Sequence, residues 1–233
     1  MSSHQVRPRR IASPLLACAI GSLAAASAAA VDVTVTLHDD TGAAPQQAIV
    51  AFYPRHAAAL APAPLEHRMD QVDKQFVPRL LAIHVGDRVN FPNSDNIRHH
   101  VYSFSPAHKF ELPLYRGIPS APVQFDTAGK VVLGCNIHDR MSAHIYVLDA
   151  PLFALVEAGR HTFTAVAPGD YEVAVFHPRQ PDSADGARHA VTIAAQATQS
   201  VDLGVALAPV AAADDAGLSP LELKFKALRR GTP

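Results

Sequence analysis

The chain has 233 residues, with 20 Lys and Arg against 21 Asp and Glu and a formal charge of −1 at pH 7. A surface so balanced gives no support to a nucleic-acid partner, whose phosphates call for a basic face. Tryptophan is absent, proline occurs 19 times and 48% of the residues are hydrophobic; that is enough to bury the core of one large or two small domains, in a composition that suits strands and turns better than long helices.

Residues 1–30 read as an export signal. Arg7, Arg9 and Arg10 form a basic start, residues 11–26 an apolar stretch, and Ala28-Ala29-Ala30 a small-residue cleavage site before Val31. Ser13 and Pro14 interrupt the apolar part, which is short for a bilayer span. Cleavage is therefore expected rather than a stable membrane span, and the mature chain is placed in the periplasm. Leu15-Leu16-Ala17-Cys18 resembles a lipoprotein box, but its apolar stretch is very short. Arg9-Arg10 resembles a twin-arginine signal, but Ala12 and Ser13 stand where hydrophobic residues usually follow.

From Val31 the pattern alternates as strands do, with Val31, Val33, Val35 and Leu37 on one face. Asp39 to Gly42 reads as a turn and 48–53 as a second strand ended by Pro54. Residues 56–64 are an Ala/Pro-rich loop. Short strands are then expected at 76–78, 80–85, 88–91, 101–104, 123–125, 131–133 and 144–148, punctuated by Gly, Pro and Asp as in a β-sandwich. Near Pro151 a second unit begins, with strands at 171–176, 190–193 and 200–207. Residues 210–217 are low-complexity linker, and 221–230 read as a short basic helix or a frayed tail. The expected organisation is all-β: a signal over 1–30, a β-sandwich over 31–150, a smaller one over 151–208, and a linker and tail over 209–233.

The chemistry concentrates in Gly134-Cys-Asn-Ile-His-Asp-Arg-Met-Ser. Cys135, His138 and Met141 stand three residues apart, a thiolate, an imidazole and a thioether on one loop. Two imidazoles and a thiolate with a weak axial thioether make a copper site acceptable to both oxidation states of the metal. A second histidine is needed from a distant strand, and the segment beginning Gly86-Asp87 supplies His99 or His100. Loss of Cys18 with the signal leaves Cys135 alone in the mature chain. An exported protein that keeps one unpaired thiol needs a reason, and a metal bond is a good one.

On these residues the chain resembles the cupredoxin family, with a metal loop of the amicyanin type in its spacing. In that family a Gly-Asp-x-Val strand leads to an Asn and, six residues on, to the first copper histidine; here stand Gly86-Asp87-Arg88-Val89, Asn93 and His99. The resemblance implies His99, Cys135 and His138 as equatorial ligands of one type 1 copper, Met141 as the axial ligand, and Asn93 as a brace between the two ligand loops. His100 stands where the family usually has Asn, Arg98 replaces a common proline, and Gly134 replaces an aromatic or polar residue. A wider likeness rests on Met69-Asp70-Gln71, Phe76-Val77-Pro78, the Arg98-to-Pro106 run, Phe110-to-Tyr115 and the metal loop. It is to exported plastocyanin-like proteins often labelled methylamine utilization proteins, a label that does not establish a role in methylamine oxidation. In such proteins a cupredoxin Greek-key sandwich is followed by a small carboxypeptidase-regulatory-like sandwich. The implied function is single-electron transfer in the periplasm between redox partner proteins such as a dehydrogenase or a cytochrome, with no catalysis.

Other readings compete. His108, His144, His161 and His177 are candidate ligands without a motif; His144 or Glu111 in place of Met141 would give a harder, non-blue centre. Leu112 to Tyr115 and Ile118-Pro119 read as core, as cover over the site or as an apolar docking patch. A Cys135–His138 nucleophile lacks an orienting acid and an oxyanion-forming element. A copper chaperone or store uses the same soft ligands, and a carbohydrate- or peptide-binding sandwich with a vestigial site is the remaining alternative.

Overall fold

A computed structural model describes residues 30–56, 63–119, 121–181 and 185–209. The expected signal up to residue 29, and the linker and tail from residue 210, lie outside the described residues. Among the described residues there is no helix, and so none long and apolar enough to cross a membrane.

The described residues form seventeen strands. In chain order they are β1 (Val31–Asp39), β2 (Gln47–Pro54), β3 (Glu66–Arg68), β4 (Asp70–Val72), β5 (Gln75–Val77), β6 (Leu80–His84), β7 (Arg88–Asn90), β8 (His99–Ser105) and β9 (His108–Tyr115). They continue as β10 (Val123–Gln124), β11 (Gly129–Gly134), β12 (Ser142–Leu148), β13 (Leu152–Glu157), β14 (Arg160–Val166), β15 (Gly169–Phe176), β16 (Arg188–Ile193) and β17 (Thr198–Val205). The protein is all-β.

A seven-stranded sheet runs β16-β15-β2-β13-β14-β1-β17. β13 and β14 pair only at Glu157 and Arg160, the base of their hairpin. There the sheet folds over, so that β16-β15-β2-β13 faces β14-β1-β17 across one core. Val33 and Val35 of β1, Val50 and Phe52 of β2, Phe163 of β14 and Val173 of β15 meet in it. Phe52 carries the contact between layers, its ring centroid 4.8 Å from that of Phe163, and it stands 5.7 Å from Tyr171 within its own layer.

The second unit sets a five-stranded sheet, β6-β12-β11-β8-β9, against a three-stranded sheet, β10-β7-β3, with β4 and β5 as a hairpin beside them. Its core holds Met69, Phe76, Phe91, Phe125, Val131, Leu133 and Ile145, and reaches Cys135 and Met141 at one end. Pro113 sits inside β9, which is the edge of its sheet, where a strand tolerates the missing N–H.

Sheet membership corrects the expected partition at residues 150 and 151. β1 and β2 belong with β13 to β17: β1 runs parallel to β17 from Asp32/Thr198 to Asp39/Val205, and β2 lies between β13 and β15. The metal-loop unit, β3 to β12, is thus an insertion between the second and third strands of the other sandwich. The reason lies in β2, which is buried on both faces. Ala48, Val50 and Phe52 point into the seven-stranded core, while Ile49 and Ala51 pack on Leu80, Tyr146 and Leu148 of the inserted unit. β12 mirrors this, with Ile145 and Val147 inward and Tyr146 and Leu148 toward β2. Four sheet layers are therefore stacked on three cores.

Candidate metal centre

Two loops at one end of the inserted unit build the site. The first runs from Phe91, anchored in the core, to His99 at the start of β8. Asn93 shapes it. Its backbone exchanges two hydrogen bonds with Gly117 (2.7 and 3.2 Å), and its side-chain amide donates to the carbonyls of Ile97 and Tyr115, both at 2.9 Å. Its Oδ1 accepts the Asp95 N–H at 3.1 Å. These bonds tie the first-ligand loop to the end of β9, within one side of the site, whereas the resemblance implies a brace reaching across to the second loop.

The second loop joins β11 to β12. The Cys135 carbonyl accepts the His138 N–H at 3.4 Å, and the His138 carbonyl accepts the Met141 N–H at 2.9 Å. Two successive four-residue turns follow, Cys135 to His138 and His138 to Met141, which is why the x2 spacing keeps Cys135 and His138 at one point. Met141 returns to the core that holds Cys135 and is 1% exposed. Gly134 has its own explanation. A Cβ there would lie 2.7 Å from the Tyr102 ring, its cross-strand partner on β8, so the phenol fills the space that a side chain before the cysteine would need.

His99, Cys135 and His138 come together, their nearest ligand atoms all within 4.8 Å of one another. The Cys135 Sγ stands 3.8 Å from the Nδ1 of both histidines. The two rings are 4.9 Å apart between centroids. His99 is fully buried and Cys135 nearly so, while His138 is partly exposed. The His99 Nε2 lies 2.6 Å from Asp95 Oδ2, which assigns its proton to Nε2 and leaves the Nδ1 lone pair facing the sulfur. Burial alone would raise the Asp95 carboxyl, but the N–H groups of Lys74, His99 and Asp73 overcome it and hold the group below its usual range. Burial first, with the Lys74 charge adding to it, pushes His138 below its ordinary range, the direction that favours the neutral ring a ligand requires.

The donor set fits a metal ion. A single S–H can satisfy only one of the two Nδ1 atoms. Nitrogen and sulfur ligands about 2.0 and 2.3 Å from a common ion at trigonal angles stand about 3.7 Å apart, close to the distances here. Thiolate with imidazole selects copper over the hard cations.

His100 is elsewhere. It follows His99 along β8 and so points to the opposite face, where its Nε2 meets Glu111 Oε1 at 2.8 Å. Glu111 is thereby engaged away from the cluster. His108 packs on Phe110 and Phe125, and His161 on Phe163. His144 and His177 lie at the junction of the two units beside Arg79. Of the apolar run in β9, Leu112 packs on the core and Leu114 is half exposed, as is Ile137 in the metal loop; Ile118 is more exposed still. The residue that sequence reasoning missed is Asp95. Within Asn93-Ser-Asp-Asn it reads as turn punctuation, and its only signal was a place four residues before His99.

Fold and site together define an all-β protein with a buried cysteine sulfur and two histidine rings converging at one end of a sandwich. The chain is similar in structure to cupredoxins over part of its length. A copper-containing nitrite reductase from Thermus scotoductus SA-01 is 28% identical, matched over 40% of this chain and 24% of that one, with a TM-score of 0.34. A purple cupredoxin from Nitrosopumilus maritimus is 19% identical over 35% of this chain and 98% of its own, with a TM-score of 0.31. An amicyanin variant in its reduced Cu(I) form is 20% identical over 42% and 98%, also at 0.31. No protein-family model matches the sequence, and no curated protein does.

Proposed function

We propose that this protein is a type 1 copper electron carrier of the periplasm that passes single electrons between redox proteins and performs no catalysis of its own. The observation that carries the reading is the pair of 3.8 Å approaches of His99 and His138 to one buried sulfur. His99, Cys135 and His138 would hold the ion, and Met141 would supply a weak thioether. When bound, copper supplies a one-electron couple between its two oxidation states. The protein's part is to favour the neutral His138 imidazole, exclude water from the sulfur and hold the ligands still. The partly exposed His138 ring is the point where electrons would enter or leave, and the half-exposed Ile137 beside it offers apolar surface for a partner. Export rests on the leader-like residues 1–30 and on a single remaining thiol.

Adding Cu(II) to the purified protein and recording the visible spectrum tests this. The expected result is an intense thiolate-to-copper band that disappears in Cys135→Ser. Absence of the band, or its survival in that variant, refutes the assignment. Copper that binds but does not cycle between oxidation states would make storage or delivery the function.

A further inference from the structure

Resting on the copper reading, we propose that Asp95 is a positioning residue that locks His99 onto the metal and biases the site toward the oxidised ion, and that the β4–β5 turn exists to hold it there. The chain of contacts is continuous. Asp95 Oδ2 takes the His99 Nε2–H at 2.6 Å, and the ring's other nitrogen faces Cys135. The carboxylate is itself gripped by two backbone donors, the Asp73 N–H on Oδ1 at 2.7 Å and the Lys74 N–H on Oδ2 at 3.0 Å.

Those donors come from an unusual place. Asp73 and Lys74 are the two central residues of the β4–β5 hairpin, with φ of 52° and 58°. A two-residue hairpin turn with both φ positive normally carries Asn-Gly or Asp-Gly, because a side chain such as Lys is strained there. Here the conformation aims two successive N–H groups at one carboxylate, the arrangement of a backbone anion nest. None of these bonds reaches the metal loop directly; they act on the sulfur through Asp95 and His99.

A carboxylate on the far nitrogen of a ligand imidazole does two things. It fixes the tautomer and ring angle, and it pushes electron density toward the ligating nitrogen. Added negative charge in a dry site favours the ion of higher charge, so Asp95 stabilises Cu(II) more than Cu(I). A purely structural brace would fix the loop without that preference.

The experiment measures Cu(I) and Cu(II) affinities and the reduction potential for the wild type, Asp95→Asn and Asp73→Asn at one pH, together with the nitrogen NMR of His99 in the metal-free wild type. Asp95→Asn keeps the volume and removes the charge. Its ratio of Cu(II) to Cu(I) affinity is expected to fall at least about tenfold, the lower end for loss of such a partner, a rise in potential of about 59 mV for a one-electron couple. Asp73→Asn removes a side-chain charge but keeps the backbone donor, and leaves the ratio unchanged. The metal-free protein is expected to show His99 protonated at Nε2. An unchanged ratio in Asp95→Asn, an equal shift in Asp73→Asn, or a proton on Nδ1 overturns the proposal. The NMR result stands even if a variant fails to fold. A wild type without the thiolate band would sink the copper reading as well, whereas a wild type with the band and an indifferent Asp95→Asn would sink this inference alone.

Discussion

Ending the chain after Ala150, where the sequence places a domain boundary, removes β13 to β17 and leaves β1 and β2 in the fragment without their partners. β1 loses both neighbours, β14 and β17, and β2 loses β13 and β15. Val31, Val33, Val35 and Leu37 of β1, and Val50 and Phe52 of β2, are each no more than 1% exposed in the whole protein. At about 1.5–3 kcal/mol for each fully buried side chain, their exposure forfeits on the order of 10 kcal/mol, comparable to the whole stability of a domain. What survives is the contact of Ile49 and Ala51 with Leu80, Tyr146 and Leu148. That contributes on the order of 3 kcal/mol, against roughly 1–2 kcal/mol for ordering each backbone residue of an eight-residue strand. Disorder wins. Hydrogen exchange read by mass spectrometry on the fragment spanning residues 31–150 should show the amides of β1 and β2 exchanging freely. Those of β8 and β11 should stay protected, and the fragment should still form its thiolate-to-copper band, because the core behind Cys135 belongs to the inserted unit. Protected amides in β1 of that fragment would refute the insertion topology.

Two further predictions follow from the junction and from one hairpin. His144 and His177 are each pushed down to about 4, by burial first and then by Lys130 with Arg79 for the one and by Arg179 with Lys130 for the other. Unfolded histidine titrates near 6.5, so the unfolded chain binds more protons between those values. Stability is complete above about pH 6.5 and declines as pH falls toward 4. Allowing for solvent screening of the half-buried rings, the loss is on the order of 1 kcal/mol per histidine. Urea midpoints of the metal-free protein should show this decline, and His144→Gln should make it shallower; a flat profile would count against the placement of both rings. Gly159 has φ of 69°, and a Cβ there would sit 2.7 Å from the Ala44 Cβ and 2.9 Å from the Leu37 carbonyl oxygen. Gly159→Ala is therefore expected to cost more than about 1 kcal/mol by chemical denaturation and to leave the copper spectrum unchanged.

Local alternation made β1 legible as a strand, since Val31, Val33, Val35 and Leu37 all face one core. It carried no information on which core. A strand states its own period and nothing of its partner, and β17, the parallel neighbour of β1, lies more than 150 residues away. β13 and β14 were not legible at all. Residues 152–156 read Leu-Phe-Ala-Leu-Val without alternation, because β13 meets the inserted unit through Phe153 and Leu155 on one face and the seven-stranded core through Val156 on the other. A strand covered on both sides loses the period that announces it. β9 was hidden by Pro113, which is compatible with a strand only at the edge that β9 occupies.

The candidate metal centre divides in the same way. Cys135, His138 and Met141 share one loop, so the two turns that assemble them are written in the spacing itself. His99 needed a fold, and the face it presents was settled by the alternation that sends His100 to Glu111. The support beneath His99 was further from reach, because it is made of backbone. Nothing in the residue names Asp73 and Lys74 says that their N–H groups converge on Asp95. That convergence depends on a left-handed pair of φ values, which these side chains disfavour and the surrounding contacts must therefore enforce. A sequence shows ligands readily because their chemistry lies in side chains, and it conceals what orients them when the orienting groups are amides common to every residue.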